Sequence, residues 1–330
     1  MSTKREAYLC LSAMLRAREP KLLNNDRAAR MLDAASFDEA AKLLTDCGYN
    51  DMSQMSAREI ESYLALRRDG IFAELEKLAP DAEVVDVFRM KYDYHNAKVL
   101  IKAEAMGQDS KRLMSASGRI DPDRLSEIYN DDSLTQLPPV YGAAIAEAKN
   151  ALARTANPQL ADFILDRAYF EEMAASAKKL ECGFLSGYAA ILADSANLKS
   201  AVRTLRMGKG LDFMETALIP GGNVSKDRIL AAGDKESITA LFAHTLLEKA
   251  AALGAEAVSG GSMTEFELAC DNAVNSYLGG AKLVSYGPEA LIAYLAAVES
   301  ETTAVRMILT GRLAGIAPDV IRERLRDMYA

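Results

Sequence analysis

Tryptophan is absent from this chain of 330 residues, histidine occurs twice, and proline and glycine are sparse, at nine and twenty. Two histidines leave little from which to build a metal centre or a general base, and few helix breakers leave long uninterrupted stretches. The four cysteines, Cys10, Cys47, Cys182 and Cys270, stand far apart, so there is no CxxC pair to hold zinc and no dense disulfide framework. They read as small buried hydrophobes in a reducing compartment. No apolar run approaches the ~20 residues that a membrane span requires; the longest candidate, Ala290 to Val298, is bounded by Glu289 and Glu299. The opening MSTKREAYLCLSAMLRARE becomes charged too soon after its apolar residues to read as a secretory leader. Excess positive charge is lacking too: the formal net charge is -8, which argues against a nucleic-acid partner. The expectation is a cytoplasmic protein that meets a membrane only through a partner.

What is abundant is Ala, Leu, Met, Glu, Lys and Arg, residues whose straight or minimal side chains lose little rotamer freedom in a helix. Half the chain is apolar and 26% is charged, the composition of a folded protein. An all-α fold is expected, with no alternation of the β-strand kind. Leu291, Leu295, Val298, Thr302, Val305 and Leu309 recur at spacings of four and three, giving one apolar stripe with Glu299, Glu301 and Arg306 off it. Ile238 to Leu253 is read as another helix. Breaks fall at 118–123, 137–139, 220–222 and 259–262, and their shortness predicts packed neighbours.

The chain also repeats itself. DYHNAKVLIKAEAMG, from Asp93 to Gly107, matches DSANLKSAVRTLRMG, from Asp194 to Gly208, pairing Asp93 with Asp194, Asn96 with Asn197, Lys98 with Lys199, Lys102 with Arg203 and Gly107 with Gly208. A third, worn copy reads AVESETTAVRMILTG, with Val305, Arg306 and Gly311 in the places of Ile101, Lys102 and Gly107, and Ala297 and Ser300 replacing Asp and Asn. Related codas follow at Gly118–Leu125, Gly222–Ile229 and Ala314–Ile321. Each unit is expected to be a helix, a glycine stop in the left-handed conformation, a loop, and a capped new helix. Three similar domains follow, with boundaries at 1–117, 118–221 and 222–330.

No constellation carries recognised chemistry. On a helix, Asp93, Asn96 and Leu100 share one side, as do Asp194, Asn197 and Ala201. A buried asparagine there must bond to backbone groups of a neighbouring loop or helix, so each amide is read as a packing pin in preference to a ligand site. His95 stands two residues from Asp93, pointing away from it on a helix, and its counterpart is Ala196; a structural histidine is expected, and His244, alone on an apolar face, is read the same way. GKG at Gly208–Gly210 lacks the first glycine and the hydroxyl of a phosphate loop, since Arg203 and Gly210 stand there. No catalytic, cofactor or metal residues are assigned.

Together the repeats resemble the C subunit of bacterial and archaeal V/A-type rotary ATPases, the counterpart of the eukaryotic V-ATPase d subunit. The family's (Y)DxxNxKxxxKxxxxG helix stands here as Tyr92-Asp93, Asn96, Lys98, Lys102 and Gly107, and again from Asp194 to Gly208. Tyr8–Tyr49, with its Leu44, Asp46 and Tyr49 phrase, is similar to the family's opening, and Gly287–Tyr329 to its close. The resemblance implies a funnel-shaped, all-helical, non-catalytic coupler of three domains around a pseudo-threefold axis. It would be seated on the membrane c-ring of proteolipids and would receive the D and F subunits of the central stalk, with the stator's a subunit as a further candidate partner. Helix ends after Gly107, Gly208 and Gly311 are the expected contact points. A free-standing helical-repeat adaptor is the alternative, and an enzyme using Asp93 and His95 the more distant one.

Overall fold

The computed structural model describes residues 2–330, with side chains from residue 4 onward. Every regular element among the described residues is helical, as the composition predicts. The chain divides into two compact units: residues up to Val85 together with Phe242–Ala330, and Asp86–Leu241.

The first unit contains α1 (Ser2–Glu6), α2 (Leu9–Arg18), α3 (Asn25–Asp33), α4 (Phe37–Lys42) and α5 (Ala57–Leu78). Leading out of it is α6 (Glu83–Met106). The second unit holds most of α6, then α7 (Pro122–Asn130), α8 (Pro139–Thr155), α9 (Pro158–Lys179), α10 (Gly183–Arg206), α11 (Leu211–Ala217), α12 (Lys226–Ala232) and α13 (Lys235–Leu241). Back in the first unit are α14 (Glu248–Val258), α15 (Met263–Gly279), α16 (Pro288–Leu313) and α17 (Pro318–Arg322).

Local chemistry explains where these helices start. Ser56 and Glu59 form a capping box at α5, the serine Oγ accepting the Glu59 N–H and the glutamate accepting the Ser56 N–H at 2.8 Å. Asn24, Asp121 and Ser225 cap α3, α7 and α12 with their side-chain oxygens.

In the first unit α16 is buried on nearly every side, from Glu289 to Gly311, which is why it reads as apolar nearly all round. Its Val305, Ile308 and Leu309 pack with Leu23, Met31, Leu32, Leu44, Ile60 and Leu64. Segments far apart in sequence therefore share one core.

Three sequence expectations are corrected. The helix expected over Ile238–Leu253 breaks between Leu241 and Glu248, because buried Phe242 and Leu247 are brought inward by a turn that the Thr245 hydroxyl closes on the Phe242 carbonyl. His244 sits at the exposed crest of that turn with φ +63°, not on an apolar helix face. Gly311, the expected stop of the third copy, lies inside α16, where the absence of a side chain admits Ile321; a Cβ would stand 2.8 Å from its Cδ1. The left-handed stop comes one turn later, at Gly315 (φ +70°), matching Gly107 (+61°) and Gly208 (+63°). All three close in the same way, the next N–H reaching back to the Ala103, Thr204 and Gly311 carbonyls.

Glycines 118 and 222 are needed for close approach: a Cβ would stand 2.3 Å from Asp93 Oδ1 at the first and 2.2 Å from Asp194 Oδ1 at the second. Gly118→Ala and Gly222→Ala should each cost about 1–3 kcal/mol through overpacking. Gly70→Ala, in open space within α5, should gain ~0.5–1 kcal/mol through helix propensity. Urea denaturation midpoints check both, and equal effects at the three positions would refute the close-approach argument.

Candidate functional site

The repeated helix carries a buried carboxylate, and the structure shows its use. Asp93 is fully buried; its Oδ1 accepts the N–H groups of Arg119 and Ile120 at 2.9 and 3.2 Å, and its Oδ2 accepts Arg119 Nε–H at 2.6 Å. Asp194 does the same for the next loop, Oδ1 accepting the Val224 N–H at 3.0 Å and Oδ2 the backbone and side-chain N–H groups of Asn223 at 3.1 and 2.8 Å. Ile120 and Val224 each stand immediately before an N-cap residue, Asp121 and Ser225. Each carboxylate thus holds the entry of a new helix.

The third copy does this too, in a register that sequence reasoning missed. Glu301, expected off the apolar stripe, is 2% exposed and accepts the Leu23 N–H at 2.6 Å. Leu23 immediately precedes Asn24, the N-cap of α3. Glu301 also accepts the Tyr49 hydroxyl at 2.5 Å and Arg67 Nη1–H at 3.3 Å, and the Arg67 guanidinium lies 3.8 Å over the Tyr49 ring centre. Each carboxylate stands fourteen positions before its left-handed glycine: 93 and 107, 194 and 208, 301 and 315. The equivalents of Asp93 and Asn96 are therefore Glu301 and Ala304, in place of Ala297 and Ser300. The signal that could have found this was an acid fourteen residues ahead of a glycine, the spacing of the first two copies.

The asparagines are pins, as expected. Asn96 Nδ2–H donates to the Ser115 carbonyl at 2.8 Å and Oδ1 accepts the Ser115 N–H at 2.7 Å; Asn197 makes the same pair with Ile219, also at 2.8 and 2.7 Å. Each amide satisfies both backbone groups of one loop residue, as a strand neighbour would. His95 and Asp93 serve different ends of the same loop: exposed His95 bonds the Leu113 carbonyl through Nε2 at 3.0 Å, while Asp93 is bonded to Arg119. In GKG, Gly208 stops α10 and Gly210 caps the seven-residue α11. Among the described residues no three His, Cys, Asp or Glu side chains are grouped to hold a metal, and no helix is long and apolar enough to cross a membrane.

Around Asp93 the network continues. Arg119 also reaches Glu172 at 2.7 Å, Tyr94 donates to the other oxygen of Glu172 at 2.8 Å, and Tyr141 donates to the Asp93 carbonyl at 2.6 Å. Burial pushes the Asp93 carboxyl up, against the opposing pull of Arg119; it pushes Asp194 and Glu301 up as well. Lys98 and Lys102 of α6 pair with Asp166 and Asp162 of α9, and Arg306 of α16 with Glu61 of α5.

The glycine ends carry exposed apolar side chains: Met106 at the end of α6 and Leu113 beyond it, Met207 after α10 and Leu211 at the start of α11, and Leu313 at the end of α16 with Ile316 beyond it. Beside Met106 lies an open groove of about 830 Å³, floored by Ile101, Ala105, Leu152, Ala153 and Pro158 and edged by Lys102, Lys149, Glu104 and Asp162.

The family model described as ATP synthase (C/AC39) subunit matches residues 11–324. The chain belongs to that family. It is similar to the V-type sodium ATPase C subunit of Enterococcus hirae, 25% identical over 98% of this chain and 99% of the relative. It is also similar to the A-type ATP synthase C subunit of Methanocaldococcus jannaschii, 22% identical over 96% and 86% of the two chains. A third relative is the V-type ATP synthase C subunit of Thermus thermophilus, 24% identical over 62% and 64%.

Two outcomes follow from the pins and the clasps. Asn197→Ala strands two fully buried backbone groups, whereas the Asn96 bonds lie nearer solvent. Asn197→Ala should therefore cost more, ~2–4 kcal/mol, than Asn96→Ala, ~1–3 kcal/mol, in denaturant titrations; the reverse order would contradict the burial argument. For Asp194, a raised folded value means that the native state binds the proton more tightly than the unfolded chain. Its contribution to stability is complete below the ordinary value of 3.8 and is lost as pH rises through the raised value. The stability of the wild type minus that of Asp194→Asn, followed by denaturation against pH, should fall from pH 3.8 upward; a rising difference would show the opposite shift.

Proposed function

We propose that this chain is the non-catalytic coupling component of a V/A-type rotary ATPase, joining the central stalk to the membrane c-ring at the cytoplasmic face. Its partners in this reading are the D and F subunits of the stalk and the c-ring proteolipids, with the stator's a subunit in reach, and the work coupled is proton or sodium transport with ATP hydrolysis or synthesis. The observation that carries the reading is the family match over residues 11–324, joined to a fold whose buried acids serve packing. The clasps at Asp93, Asp194 and Glu301 support a helical module used three times, the third clasp closing on Leu23.

A coupler must resist shear and be gripped. Close-packed helices supply the first, since protein interiors are as dense as organic crystals. The exposed methionines and leucines at the glycine ends supply apolar centres for the second, with charged residues as rim.

The test is assembly and coupling in membrane vesicles containing the complete ATPase. The chain should co-purify with the nucleotide-binding subunits and proteolipids. Met106→Glu combined with Met207→Glu, both at exposed positions, should leave folding intact while lowering ATP-driven ion uptake per ATP hydrolysed several-fold. Full coupling in that variant would remove the glycine ends as contact points. Isolation of the chain free of the ATPase would favour the free-standing adaptor.

A further inference from the structure

Two of the three clasps are local in the chain, Asp93 lying 27 residues from Ile120 and Asp194 lying 30 from Val224. The third joins Leu23 to Glu301 across 278 residues. At the first two, the held loop follows directly from the helix that holds it, and a short stretch of chain keeps it close even when the clasp opens. At the third, the held segment comes from the other end of the sequence and leads into α4 and α5, which pack on α16 in the same core.

The segment held there is fastened to α16 at both ends. At its entry, Glu301 holds the Leu23 N–H. At its exit, Arg312 donates through Nη1 to the Leu32 carbonyl at 2.7 Å and through Nη2 to the Ala34 carbonyl at 2.6 Å. Between these catches α3 turns Ala28, Met31 and Leu32 into the core shared with Val305, Ile308 and Leu309. Upstream, α2 is fastened to the approach of α16, Ser12 exchanging hydrogen bonds with Gly287 and Arg16 donating to the Ala281 and Val284 carbonyls, and Arg5 of α1 pairs with Glu289 in the first turn of α16.

We propose that residues 4–34 form a strap that completes the third clasp, and that Glu301 and Arg312 are its two catches. The strap releases from α16 as one cooperative unit while the clasps at Asp93 and Asp194 stay closed. Release of the strap returns the conformational entropy of about thirty residues at once, whereas the loops held by Asp93 and Asp194 stay tethered at both ends by the helices they join, so the opening of lowest free energy falls at this seam. The lining of the seam explains its reinforcement: Glu301 is one methylene longer than the aspartates and takes Tyr49 and Arg67 as additional partners from α5 and the loop before it. This inference concerns the chain alone and does not depend on the partner assignment above.

Hydrogen exchange on the full chain, resolved by peptide, tests it. In the wild type, amides over 8–33 should exchange as a block, and faster than those over 120–130 and 224–232. Glu301→Gln and, separately, Arg312→Gln should accelerate the strap block by about tenfold or more, the equivalent of a charge-assisted hydrogen bond lost, with the other two blocks unchanged. Tyr49→Phe removes one bond to Glu301 without disturbing its charge and should give a smaller acceleration of the same block if Glu301→Gln fails to fold. Asp93→Asn should move the 116–130 region and leave the strap as it was. Exchange of 8–33 in step with α16 in the wild type, or equal acceleration of all three blocks by Glu301→Gln or Tyr49→Phe, would overturn the proposal.

Discussion

A carboxylate buried in a helix must find donors, because desolvation otherwise makes its charge costly. Asp93, Asp194 and Glu301 meet this constraint with the same kind of donor: the N–H of the residue just ahead of a helix N-cap. Such an N–H lies outside the regular hydrogen bonding of the helix it precedes, and burying it is safe only when it is paired. One interaction thus satisfies two groups that would each be costly alone, and specifies where the next helix enters. What surrounds the core pair varies: a guanidinium at Asp93, an asparagine at Asp194, a tyrosine and an arginine at Glu301.

The left-handed glycine fourteen residues later gives the clasp its geometric consequence. At 1.5 Å per residue, clasp and stop are about 21 Å apart along each of α6, α10 and α16. Three helices in one chain therefore carry the same measured length between the point where a neighbour is held and the point where the helix ends in exposed methionine or leucine. The coupling role proposed above would need such repeated, stiff distances more than reactive groups. The buried acids each hold a backbone N–H beside side-chain donors, and the asparagines hold single loop residues.

Composition and repetition made much of this legible. Helix formers without breakers pointed to the all-α class, the Asp93 and Asp194 copies to their glycine stops and caps, and the asparagine pins followed from burial and polarity alone. Membership of the family was legible from the order and spacing of the same motifs. The third copy was misread by one turn because Gly311 and Gly315 both sit near the helix end, and a helix can bury a glycine internally when a neighbour such as Ile321 needs the room.

The helical class, the repeated module and the roles of Asn96 and Asn197 follow from the sequence by itself, since they depend on local propensity, periodicity and the rule that buried amides must be paired. That Glu301 is buried, and that its partner lies 278 residues away, emerged from the packed chain alone. Periodicity assigns a residue to a face of its own helix; it cannot say what covers that face when the covering segment is so distant. The closing of α16 on Leu23 is a long-range contact, and the residues around Glu301 carry no local signal for it.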